Sequence, residues 1–163
     1  MTIRSCLWCS QRIGMGNNGD EAALCGSCYD HFSLLPGGPT QKHLDRLSFP
    51  ILGVQLYAGK RMISRVVNKT ACAWLNKEPN EIIQHLAGNV LDCATARLPE
   101  GCGAALLCEE CGVLRSVVGT SGGEPIVEAP IKLYQEYGHS VATMLRLTTI
   151  KSNGLVMLKL EKA

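Results

Sequence analysis

No stretch of this 163-residue chain reaches the ~18 consecutive apolar residues of a membrane span, and no apolar run follows the opening "MTIRSCLWCS". Neither a transmembrane helix nor a secretory signal peptide is therefore expected, which points to the cytoplasm and away from a membrane partner. Aromatic residues are scarce, at 5%, so Leu and the branched aliphatics must fill the core. Runs of lysine or arginine are missing too. The 16 basic and 14 acidic residues leave a net charge of +2, too little for a nucleic-acid footprint. No phosphate loop, Ser-His-Asp arrangement or paired carboxylate site stands out, which gives no basis for an enzyme.

Cysteine is what the chain has in quantity. Nine cysteines in a chain with no secretion signal point to metal or redox chemistry before disulfides. Eight of them fall into two quartets. Cys6, Cys9, Cys25 and Cys28 form C-x2-C-x15-C-x2-C, the spacing of two knuckles that close one zinc tetrahedron. Fewer than about forty residues cannot hold a core unaided, so the metal would supply the folding energy of this module. Disulfides and a rubredoxin-type iron site are the alternatives. Between the knuckles lies just one Arg and no Lys, which favours a structural or protein-docking role over nucleic-acid binding.

The second quartet, Cys93, Cys102, Cys108 and Cys111, lies in "CATARLPEGCGAALLCEEC". In a helical reading Cys108 and Cys111 are three apart and face the same way. Cys102 sits in a glycine-flanked turn, where backbone can approach a bound ion closely. Cys93 falls near the end of the preceding helix. Four sulfurs so placed suit either Zn²⁺ or an iron–sulfur cluster. Zinc has no redox chemistry and would pin the surrounding helices. A cluster would answer oxygen, nitric oxide or a reductant. Thiolate sites at both quartets would each carry roughly −2 and bring the net charge to about −2. Two crosslinks or four reduced core cysteines are the plain alternatives. A thioredoxin-like "CEEC" lacks the βαβ unit it needs.

"LLPGGPT" (34–40) marks a boundary, with two prolines and two glycines that forbid regular structure. It separates a cysteine module (1–35) from a linker and short helix (36–48), "QKHLDRLS" supplying about two helical turns. The main domain then runs over 49–163. "ILGVQLYAG" and "KRMISRVVN" read as a hairpin, with a turn at Gly59-Lys60. "KTACAWLN" and "PNEIIQHLAG" read as helices, the first ending at Asn76 and the second starting at Pro79. "AALLCEECGVLRSVV" has helical character and "GTSGG" stops it. Three strands follow: "PIVEAPIKLY", "HSVATMLRLTTI" and, after the Asn153-Gly154 turn, "LVMLKLEKA". Two strands, short helices and three strands predict an α+β domain: a five-stranded antiparallel sheet with helices on one face.

Residues 49 to 161 in this order resemble a PAS domain. The hairpin runs into an Asn-x-x-Ala helix start at Asn68 and Ala71, and Gly88-Asn89 follow the second helix. The segment "GNVLDC…PEGCG" with its later cysteines is similar to a subset of bacterial sensor PAS domains. It is also similar to oxygen-sensing PAS kinases that hold an iron–sulfur cluster through four cysteines, although those use two CxxC pairs. The resemblance implies a sensory or dimerising module with a pocket between sheet and helices. It implies a [4Fe–4S] cluster at the second quartet, with zinc as the alternative. The partner would be a separate signalling protein such as a kinase, or a second copy of the chain. The first quartet, with "LCGSCYDHF" as its second half, resembles the zinc knuckle beside bacterial sensor domains. The rival readings are an adaptor with two structural zinc sites and a zinc-ribbon nucleic-acid binder.

Other residues invite a role. His31, His43, His85 and His139 are candidate ligands, His85 as an outer partner of the second quartet. Cys72 is expected to pack in the first helix beside Trp74. Tyr57, Met62 and Trp74 would suit a flavin or haem pocket, or simply fill the core.

Overall fold

The computed structural model describes residues 4–5, 12–13, 41–58, 60–99, 101–103, 111–123, 126–136, 140–152 and 154–162. Two short strands, β1 (Arg4–Ser5) and β2 (Arg12–Ile13), pair antiparallel. They bracket in sequence the stretch that holds Cys6 and Cys9. Those two cysteines, together with Cys25, Cys28 and Cys108, lie outside the described residues, as do His31, His139 and the 34–40 boundary.

Helix α1 (Gln41–Leu44) is a single turn rather than two. It is fastened to the domain at Val67 and Asn68, where the next hairpin ends and the following helix begins. Asn68 is fully buried, and its amide uses all four of its hydrogen-bonding positions. Its Nδ2 donates to the carbonyls of Leu44 (3.0 Å) and Phe49 (2.9 Å), and its Oδ1 accepts from the amides of Ile51 (3.0 Å) and Ala71 (2.9 Å). Thr70 Oγ1 donates to Leu47 O at 2.7 Å, and Gln41 Nε2 to Val67 O at 2.8 Å. Residues 41–50 therefore form the first layer of the domain.

Strands β3 (Ile51–Tyr57), β4 (Arg61–Val67), β5 (Ile126–Glu136), β6 (Ser140–Ser152) and β7 (Leu155–Lys162) form one antiparallel sheet in the order β4-β3-β7-β6-β5. Alternation decides which side chains reach the core. Leu52 and Val54, Leu145 and Leu147, and Val156, Leu158 and Leu160 all belong to one buried cluster with the helices. Each such side chain contributes about 1.5–3 kcal/mol by leaving water. Pro130 lies in β5, an edge strand, where a missing N–H costs least.

Between β4 and β5 the chain forms α2 (Lys69–Leu75), α3 (Pro79–Ile82), α4 (Ala87–Val90), a 3₁₀ turn (Ala94–Arg97) and α5 (Gly112–Ser121). Asn68 caps α2 and left-handed Asn76 ends it, as the sequence predicts. Pro79 opens α3, but that helix does not run on through "QHLAG". Ile83 turns extended and Gln84 adopts φ +72°. Residues 84–86 then pair along the outer edge of β4: Ser64 N donates to His85 O and Gln84 N to Ser64 O, both at 2.8 Å. Pairing to a sheet edge overrides local helix preference here, and it delivers the chain into α4. In α5, Val113, Ser116, Val117 and Thr120 are buried at helical spacing. Thr120 and Thr149 of β6 share a buried hydroxyl contact of 2.6 Å.

Candidate functional site

An apolar pocket lies between the sheet and these helices, with a cavity volume of about 20 Å³. Met62 of β4 forms one wall. Ala87, Gly88 and Leu91, from α4 and its end, form another, and Val113 and Leu114 of α5 a third. Three cysteines complete the lining: Cys93, Cys102 and Cys111. They come from three separate segments, so the fold brings together residues up to eighteen positions apart. The fourth member of that quartet, Cys108, is outside the described residues.

Each cysteine is placed by a local device. Cys93 follows Asp92, whose backbone is left-handed at φ +55°. Its amide donates to Gly88 O at 2.8 Å, closing the chain back onto α4. It thus lies three residues past Val90, the last residue of α4, near the helix end as the sequence suggests. Cys102 is buried between Gly101 (φ +75°) and Gly103 (φ +86°). A side chain at Gly103 would collide with the carbonyl oxygen of Lys60, so the cysteine turn rests directly on the tip of the β3–β4 hairpin. Gly88 gives Cys102 its room: a β-carbon there would stand 2.7 Å from Sγ and 2.8 Å from Cβ of Cys102.

Cys111 corrects the helical reading. It is extended (φ −65°, ψ 117°) and stands at the N-cap of α5 instead of lying within that helix. Gly112, a poor interior helix residue, occupies the first helical position. The consequence is chemical. The N-terminus of a ten-residue helix carries partial positive charge, which favours a negatively charged sulfur at Cys111.

Soft sulfur donors within an apolar wall fit a zinc ion or an iron–sulfur centre. Among the described residues no disulfide joins Cys72, Cys93, Cys102 and Cys111. Nor, among them, do three His, Cys, Asp or Glu side chains stand as a ready metal-ion set. The other candidates lie elsewhere. His85 is exposed and takes part through its backbone carbonyl. Tyr57 is 60% exposed, Trp74 packs against the core, and Met62 alone of the three reaches the pocket. Cys72 is half-buried in α2 and packs against the core, with its thiol pKa raised by burial and then by the Glu78 and Asp45 carboxylates. The sequence singled out the cysteines and the glycines that flank Cys102, but not Lys77 or Asp92, and it marked Gly88 only through a resemblance.

A hairpin, a set of short helices packed against the sheet, and three closing strands make up the domain. This is the element order that the sequence predicts for an α+β domain with one antiparallel sheet. No family model matches the chain, and no curated protein matches it. Among similar solved structures is a PAS domain from Colwellia psychrerythraea, with 10% identity and a TM-score of 0.49 over 75% of this chain and 92% of that one. Another is the photoactive yellow protein domain of the sensor histidine kinase Ppr from Rhodospirillum centenum, with 10% identity and a TM-score of 0.46 over 76% and 93%. A third is a Rhodobacter sphaeroides LOV protein, with 9% identity and a TM-score of 0.46 over 75% of this chain; the match spans 63% of that protein, less than two thirds of its length. Among the described residues, no helix is long and apolar enough to cross a membrane.

Proposed function

We propose that this chain is a signal-sensing PAS module in which Cys93, Cys102, Cys108 and Cys111 hold an iron–sulfur cluster, with a structural zinc at Cys6, Cys9, Cys25 and Cys28. The reading is of a binding and signalling protein and not of an enzyme. One observation carries it: thiols from three separate segments line a single apolar pocket under the sheet. A cluster there would supply a redox-active centre open to oxygen, nitric oxide or reductant. The chain's own residues do the rest. Met62, Ala87 and Leu91 give the sulfurs an apolar wall, and Cys111 stands at the N-terminus of α5. Gly103 seats the cysteine turn on Lys60, so any shift of Cys102 is felt at the β3–β4 hairpin. The recipient of that shift would be a separate signalling protein, such as a kinase, or a second copy of the chain.

A zinc ion in place of the cluster is the second reading. The cavity of about 20 Å³ favours it, since that room suits a guest about the size of one water.

Metal analysis of protein purified without oxygen separates these outcomes. Brown protein with iron and acid-labile sulfide, both lost in Cys93→Ser and Cys102→Ser, supports the sensor. Colourless protein with two zinc ions per chain ends the cluster reading and favours a structural adaptor. Metal content unchanged by either substitution removes the pocket as a metal site altogether.

A further inference from the structure

Lys77 directs all its hydrogen-bonding capacity at one turn of the cysteine pocket. It follows the left-handed end of α2, twelve to fifteen residues before the groups it reaches. An ammonium has three protons to donate. Here they go to the carbonyls of Asn89 (3.0 Å) and Val90 (2.7 Å), at the C-terminal end of α4, and to Asp92 Oδ1 (2.9 Å). The pair is largely shielded, with side-chain exposures of 18% for Lys77 and 25% for Asp92.

The turn so held is the one that presents Cys93. Asp92 stands between Leu91 and Cys93, both of which line the pocket, and its backbone is left-handed. A non-glycine residue keeps that conformation where its surroundings fix it, and the Lys77 ammonium is the group that fixes this one. The chain then closes through the Cys93 amide onto Gly88 O, beside the Cys102 sulfur.

We infer that Lys77 is the positioning residue for Cys93: by clamping Asp92 and the end of α4 it sets the Cys93 sulfur as a ligand to the pocket's inorganic centre. The inference rests on the reading of the pocket as a metal–thiolate site. Lys77 acts through Asp92 and not by touching the centre.

The test compares full-length wild type with Lys77→Met, Lys77→Met/Asp92→Gly, Cys93→Ser and Thr120→Val. Each is purified without oxygen, counted for iron, sulfide and zinc, and challenged with EDTA while the thiolate-to-metal absorption is followed. Cys93→Ser defines the metal held at this site. Lys77→Met should lose that metal about 10- to 100-fold faster, the effect usual for a partner that orients a ligand, with a changed absorption spectrum. Glycine takes the left-handed conformation without strain, so Asp92→Gly in the same chain should recover most of the retention. Thr120→Val removes one buried hydroxyl contact in the last turn of α5, six residues beyond Leu114, the last α5 residue that lines the pocket, and should keep the wild-type spectrum and retention. Unchanged spectrum and retention in Lys77→Met overturn the role of Lys77. A loss in Lys77→Met that Asp92→Gly does not reverse, or that Thr120→Val reproduces, overturns it as well. Metal unaffected by Cys93→Ser shows instead that the pocket reading has failed, and the role of Lys77 with it.

Discussion

The sulfur of Cys102 lies 2.7 Å from the point where a β-carbon on Gly88 would stand. Helix α4 and the cysteine turn meet there with no side chain between them. The contact joins the Gly-Asn of the PAS resemblance to the cysteine chemistry: the glycine makes room for a sulfur.

Gly88→Ala tests that contact. Alanine favours a helix over glycine by about 1 kcal/mol, so an open site would gain stability. Here the new methyl meets both Sγ and Cβ of Cys102, and Ala96 Cβ at 3.3 Å. Overpacking of this kind costs about 1–3 kcal/mol. Urea unfolding should show a net loss of stability, together with loss of metal from the pocket. Stability equal to wild type or higher would mean that Cys102 can move aside.

Much of the fold was legible because it rests on local chemistry. The apolar run "ILGVQLY" and the alternating "LVMLKLE" mark strands, Asn68 marks the start of α2, Asn76 its end, and Pro79 the next helix start. What was not legible depends on distant partners. Nothing in "PNEIIQHLAG" announces that residues 84–86 pair with the edge of β4, which splits an expected helix into α3 and α4. For the same reason Cys111 was expected inside a helix that in fact starts after it. The cysteines of the pocket were visible by count and spacing. Lys77 and Asp92 were not, because they acquire meaning only through a contact between residues fifteen positions apart, and the glycines at 88 and 103 were visible without the Cys102 and Lys60 atoms that they make room for.

Ser64 gives a prediction of opposite sign. It is fully buried in β4, and its Oγ has no hydrogen-bond partner among the described residues. Its backbone N–H and C=O are both used by residues 84 and 85, so the side chain contributes nothing to the edge pairing. A buried hydroxyl without a partner carries a desolvation cost of about 1–3 kcal/mol. Ser64→Ala should therefore leave stability unchanged or raise it by about 1 kcal/mol in urea unfolding. A loss greater than about 1 kcal/mol would show that the hydroxyl does find a partner in solution.

Cys72 should react more slowly than an ordinary exposed thiol, with a pH dependence set by its surroundings. Burial disfavours its charged form, and the Glu78 and Asp45 carboxylates add repulsion, outweighing a backbone hydrogen bond that acts the other way. The pKa is raised, so the reactive thiolate is scarcer at neutral pH than at an ordinary exposed cysteine. Alkylation by iodoacetamide, resolved by site with mass spectrometry, should climb with pH. Its midpoint at Cys72 should lie above the ordinary thiol value. Glu78→Gln removes one of the two negative charges and should move that midpoint down, toward the ordinary value. A midpoint at or below that of an unperturbed thiol, or one that Glu78→Gln moves upward, would contradict the burial and charge arrangement around α2.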